Sequence, residues 1–150
     1  SVIERKEAVV FFNNDLYEVL DGNGVILSIK QNYEGLSSLP LLVGKDASKN
    51  INALLALVNE MGSYQSEVLY YEWVGERRWD IHMKSELVFK LPENNLNKGL
   101  YVMRMFLRET NKMSKTVVSV DLRNIDKPII RFRKAPPLEY IGKNTRRLSG

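Results

Sequence analysis

Cysteine is missing altogether from these 150 residues, and histidine occurs once. The first absence removes disulfides, thiolate zinc sites, iron–sulfur clusters and cysteine nucleophiles; the second removes imidazole-rich metal centres. Glycine and proline are scarce, at 9 and 5 residues, which excludes collagen-like and low-complexity chains. No apolar run approaches the roughly 20 residues that cross a bilayer. The opening Ser-Val-Ile-Glu-Arg-Lys-Glu is charged and strand-like, unlike a secretory leader. What is present is 44% hydrophobic and 27% charged residues, enough for the core of one soluble domain.

The net charge of +4 is uneven. From Leu122 to Gly150 eight bases face two acids, Asp126 and Glu139, so this end carries +6 and the first 121 residues sum to −2. A basic end on a nearly neutral body suits nucleic acid, anionic lipid or an acidic protein partner, or it is simply a solvated tail.

Hydrophobic periodicity predicts an α+β fold: a mostly antiparallel sheet with two helices packed on it. Strands are expected over Val2–Phe12, Leu16–Leu20 and Val25–Ile29. Asp21-Gly22-Asn23-Gly24 supplies the positive φ of a tight hairpin turn. Leu39 to Gly44 is apolar but broken by Pro40. A first helix carries Ile51, Leu54, Leu55 and Val58 on one face, with Asp46 or Ser48 as cap and Gly62 as stop. Three strands follow, Val68–Val74, Arg78–Lys84 and Leu87–Leu91. The second alternates Trp79, Ile81 and Met83 with Asp80, His82 and Lys84. A second helix from about Asn94 buries Leu96, Leu100, Met103 and Leu107. Its Gly99 weakens it by about 1 kcal/mol against alanine, which marks a close contact. Val118, Val120 and Leu122 then alternate with Ser119, Asp121 and Arg123. Asn124 to Lys127 is a turn, Ile129–Phe132 the last strand, and the tail from 136 to 150 is expected to be disordered.

Catalytic options are few. A Ser/His/Asp site would need His82, which alternation places on the polar face of its strand, where a solvent-facing or hydrogen-bonded role is the ordinary one. Asp121 and Asp126 flank a turn in a basic segment, so ion pairing and turn chemistry explain them better than acid/base work. No cofactor and no metal are expected. Arg131, Phe132, Arg133 and Lys134 interleave a ring with bases, as a single-stranded nucleic-acid module would. No RNA-binding signature accompanies them, so this is the alternative reading. An end strand containing Pro128 belongs at a sheet edge, where unpaired backbone groups can meet a partner.

The order of the pieces is distinctive. Glu4-Arg5-Lys6-Glu7-Ala8-Val9-Val10-Phe11 precedes the hairpin at Asp21-Gly22-Asn23-Gly24-Val25. Leu39-Pro40-Leu41-Leu42-Val43-Gly44 precedes the first helix. Arg77-Arg78-Trp79-Asp80-Ile81 leads to Val88-Phe89-Lys90-Leu91-Pro92. Val120-Asp121-Leu122-Arg123 follows, with Arg131-Phe132 beyond it. This order resembles the bacterial cell-division family FtsQ/DivIB over about Val2 to Ala135.

The resemblance implies a longer protein with a cytoplasmic segment, one transmembrane helix and a POTRA domain. Residues 1–5 would be the last POTRA strand, 6–135 the β domain and 136–150 a tail. It implies a non-catalytic scaffold at the periplasmic face of the inner membrane, at the division septum. There it would bind FtsB-like and FtsL-like proteins and help bring in septal peptidoglycan synthesis. It assigns partner binding to Arg77 and Arg78 and to the segment Arg123, Asn124, Ile125, Asp126, Lys127, Ile129, Arg131 and Phe132. In that segment the chain departs from the family pattern: Asn124 stands where an aromatic is frequent, Lys127-Pro128 where glycine is common, and Phe132 where tryptophan is frequent.

Overall fold

The computed structural model describes residues 5–109 and 116–133. The expected POTRA strand lies outside these residues except for Arg5, and so does the tail expected from 136. Among the described residues nine strands form one sheet: β1 (Val9–Asn13), β2 (Leu16–Leu20), β3 (Ile26–Lys30), β4 (Leu41–Val43), β5 (Val68–Val74), β6 (Arg78–Met83), β7 (Val88–Lys90), β8 (Val117–Asp121) and β9 (Ile129–Phe132). Their order across the sheet is β3-β2-β1-β4-β5-β6-β7-β8-β9. Helix α1 (Ile51–Met61) connects β4 to β5 and α2 (Leu96–Glu109) connects β7 to β8. Both connected pairs are parallel, as is β1 with β4, and the other five pairings are antiparallel. Parallel neighbours need a crossover rather than a hairpin, and the two helices are those crossovers.

The predicted architecture holds, with local corrections. The first strand starts at Val9, because the charged Arg5-Lys6-Glu7 is exposed and Arg5 reaches sideways to Asp21. The β1–β2 turn is tight: Asn14 and Asp15 sit at φ 52° and 63°, the left-handed pair that suits strand twist. In the next turn only Gly24 has positive φ, at 85°. Asp21 does much of that turn's work, accepting from the Asn23 and Val25 amides at 2.9 Å and from Arg5 Nη1 at 2.8 Å. Neither expected cap holds α1: Asp46 is left-handed and makes no capping bond, and a 3-10 turn over Ala47–Asn50 leads in instead. Gly62 does end α1, its N–H donating to the Asn59 carbonyl.

One face of the sheet carries the main core. Val9, Leu42, Tyr71, Trp79, Ile81 and Phe89 lie under Leu54, Leu57 and Met61 of α1 and Leu100 and Met103 of α2. Gly99 is the close contact its position in α2 predicts: a Cβ there would lie 2.5 Å from Pro92 Cδ. The opposite face is covered only at its first half, where Leu36, Tyr33 and Leu39 pack over Val10 and Val19. From β5 to β9 no helix or loop among the described residues packs a second core on that face.

Candidate functional site

Strand β9 ends the sheet, with no strand beyond it among the described residues, and all four of its residues are exposed. Backbone alternation decides which groups it offers. The Leu122 N–H donates to Lys90 on the β7 side, so Ser119 and Asp121 turn toward β9, opposite Arg131 and Ile129. Arg133 N–H likewise points inward, to Thr116. Ile130 and Phe132 therefore direct their N–H and C=O groups to the free edge. Their side chains lie on the helix-bearing face, since Ile130 opposes the core residue Val120. They are 42% and 57% exposed, a large apolar offering for so short a strand. The other edge, β3, exposes Ile26 and Ile29 but keeps Leu27 and Ser28 half-buried.

The open face beside β9 is charged. Glu72, Asp80, Lys90 and Asp121 run in register across β5 to β8, and Ile129 completes the row on β9. Arg78 and Arg123 lie at the same end of the sheet, two strands apart, a spacing of about 10 Å. Alternation predicts that Asp80 and Asp121 face water, yet they are 6% and 9% exposed. Arg78 Nε donates to Asp80 at 3.3 Å. Arg123 clasps Asp121 through Nε at 2.9 Å and Nη2 at 2.6 Å, and its backbone N–H adds a third bond at 3.0 Å. Such two-pronged pairs fix orientation as well as charge.

These contacts sort the residues named from sequence. Arg123 is half-exposed but committed to Asp121. Asn124 is a turn residue, accepting from the Asp126 amide at 3.2 Å through its side chain and from the Lys127 amide at 3.0 Å through its carbonyl. Ile125 packs against the main core. Asp126, Lys127, Ile129, Arg131 and Phe132 are exposed, as is Arg77, while Arg78 is half-buried. Sequence reasoning passed over Ile130, whose outward backbone follows only from the β8–β9 register, and also Glu72 and Asp80. His82 is hydrogen-bonded, as its strand position suggests: Nε2 lies 2.8 Å from Glu72 Oε1, and its ring stacks on Tyr70 at 4.2 Å.

The carboxylates imply a pH dependence. The Arg123 side-chain bonds hold the Asp121 carboxyl below its ordinary value, and the Val25 amide does the same for Asp21. A carboxyl depressed in the folded state adds stability that is full above its unfolded value and is lost as pH falls through the folded one. Burial pushes Asp80 upward, which opposes this trend. We expect the melting temperature to fall between about pH 5 and pH 3, less steeply in Asp121→Asn than in the native chain. Identical slopes would show that Asp121 is not coupled to folding.

Fold and site together define an α+β domain whose sheet, among the described residues, ends in an exposed edge strand beside a charged face. The chain belongs to the FtsQ/DivIB family of cell-division proteins: residues 8–123 match the model described as Cell division protein FtsQ/DivIB, C-terminal. Among curated relatives, Cell division protein FtsQ of Rhizobium radiobacter is 33% identical over 130 residues, covering 86% of this chain and 61% of that protein. Its namesake in Agrobacterium fabrum is also 33% identical, over 86% of this chain and 40% of its own length. FtsQ of Zymomonas mobilis is 29% identical over 95% of this chain and 45% of its own. The chain thus spans roughly half the length of these relatives. A solved structure of the major extracytoplasmic domain of DivIB from Geobacillus stearothermophilus aligns with a TM-score of 0.49 and 15% identity, over 73% of this chain and 98% of that one. The family match ends at residue 123, so β9 lies just past it.

Proposed function

We propose that this domain is a non-catalytic scaffold of the division machinery that binds a segment of FtsB-like and FtsL-like proteins by adding it as a strand to β9. The observation that carries this reading is the exposure of β9 on both faces at the end of the sheet. Main-chain pairing supplies adhesion, and side chains on alternate faces select the partner. On one face the incoming strand meets Ile130 and Phe132, and on the other Ile129 and Arg131. It therefore suits a segment that alternates apolar with acidic residues. In the longer protein, a transmembrane helix and a POTRA domain would precede this domain and hold it at the periplasmic face of the septum, where it would link early division proteins to septal peptidoglycan synthesis.

Co-purification with the extracytoplasmic segment of the FtsB-like protein of the same genome tests this directly. Retention of that segment is expected, at an affinity that survives physiological salt. Failure to retain it, with retention of single-stranded nucleic acid instead, would favour the basic-module alternative, whose binding should weaken steeply with salt.

A further inference from the structure

The sole histidine sits in a polar cluster that strand pairing at β9 does not use. Glu72 on β5 lies directly opposite Asp80 on β6, and His82 lies opposite Tyr70, so the three side chains share the open face. Their donor atoms all lie within 4.8 Å of one another. Tyr70 stacks against the imidazole and holds Nε2 toward Glu72 Oε1. Asp80 is buried, with the Arg78 guanidinium as a rather long partner at 3.3 Å.

We propose that Glu72, Asp80 and His82 form a binding site for a divalent transition-metal ion of the zinc class. One imidazole nitrogen with two carboxylate oxygens is a borderline donor set, suited to Zn²⁺, Co²⁺ or Ni²⁺, whereas Mg²⁺ and Ca²⁺ favour oxygen alone. Two donors at about 2.0–2.2 Å from a tetrahedral ion lie about 3.4 Å apart. The His82–Glu72 pair, now at 2.8 Å, opens slightly, and the wider separations, none above 4.8 Å, close by about 1 Å to reach that spacing. The ion takes the lone pair of Nε2, so the imidazole proton resides on Nδ1 and the His82–Glu72 hydrogen bond is replaced by two metal bonds. Three protein ligands leave a fourth position on the open face, free for water or for a donor from another molecule. Arg78 is the built-in competitor, since its cation already neutralises part of the Asp80 charge.

A single histidine makes the test clean, because an untagged chain has one set of imidazole signals. The ¹⁵N-labelled protein is titrated with ZnCl₂ while the imidazole nitrogens are followed by NMR. The His82 Nε2 signal is expected to move and saturate, with no response to MgCl₂. Glu72→Gln, a half-buried substitution, should weaken Zn²⁺ binding by about tenfold or more. Arg78→Gln releases Asp80 and should tighten it, a gain that mere loss of structure cannot produce. An Nε2 signal that ignores a large excess of Zn²⁺ overturns the proposal, and so does a response that is the same in all three proteins.

Discussion

Ile130→Pro is expected to remove binding of the partner segment while leaving the domain folded. The Ile130 N–H points to the free edge, so proline there deletes no bond to β8. Edge strands tolerate proline on the solvent side of the ladder. An incoming strand loses one N–H donor and meets the pyrrolidine ring where its carbonyl should dock. A main-chain hydrogen bond contributes about 1 kcal/mol net, and the steric block adds to it. Together they amount to about 2–4 kcal/mol, or roughly 30- to 1000-fold in affinity at 1.4 kcal/mol per tenfold. Ile130→Ala keeps the backbone donor and trims a half-exposed side chain, so it should cost far less. Calorimetric titration of both variants, with melting curves beside them, separates backbone pairing from side-chain contact. Equal losses for proline and alanine would mean that the partner reads the side chain alone.

Gly44→Ala should produce the largest loss of stability of any single methyl addition in the sheet. Gly44 has φ 117°, a conformation L side chains rarely adopt. It leaves β4 directly beside the Trp73 backbone, and an added Cβ would press on the Trp73 carbonyl oxygen, with the Trp73 nitrogen and carbonyl carbon at 3.1 Å. Strand β5 cannot yield, because it is paired on both sides, to β4 and β6. Backbone strain of about 1–3 kcal/mol adds to overpacking of about 1–3 kcal/mol. The expected total is about 3–5 kcal/mol, or roughly 10–20 °C in melting temperature for a domain of this size. Gly35→Ala is the control: φ is 79°, but nothing lies within 4 Å of the added Cβ. It carries strain without the clash and should cost clearly less. Matching losses at the two positions would show that the contact with Trp73 relaxes freely.

Periodicity made most of the elements legible, because a buried stripe at Leu100 and Met103 or an alternation at Trp79, Ile81 and Met83 is written by local spacing. Position in the sheet is not local. Leu41–Val43 is three residues after a proline, and nothing in its pattern says that it slots parallel between β1 and β5. The turn at Asn14-Asp15 carried its own signal, two residues that tolerate left-handed φ, between two strand-like runs. The buried Asp80 and Asp121 escaped because alternation assigns a face, not an exposure. Long neighbours, Arg78 and Arg123, lie over those carboxylates and shield them. A bulge between Val117 and Ser119 also shifts the alternation of β8. The Glu72–Asp80–His82 grouping was within reach. Counting outward from the turn at Gly75-Glu76 pairs Val74 with Arg78, Glu72 with Asp80 and Tyr70 with His82. The proposed binding edge was half legible: Pro128 and the outward bases mark an edge strand, but the free backbone of Ile130 follows only once β8 is known to pair with β7 on its other side.

Amide hydrogen exchange across β9, with and without the extracytoplasmic segment of an FtsB-like protein, tests strand addition most directly. Strand addition predicts that the Ile130 and Phe132 amides, open to solvent in the free domain, become protected in the complex, while Ile129 and Arg131, already bonded to β8, change little. A complex that forms while Ile130 and Phe132 continue to exchange at their free rates would contradict it.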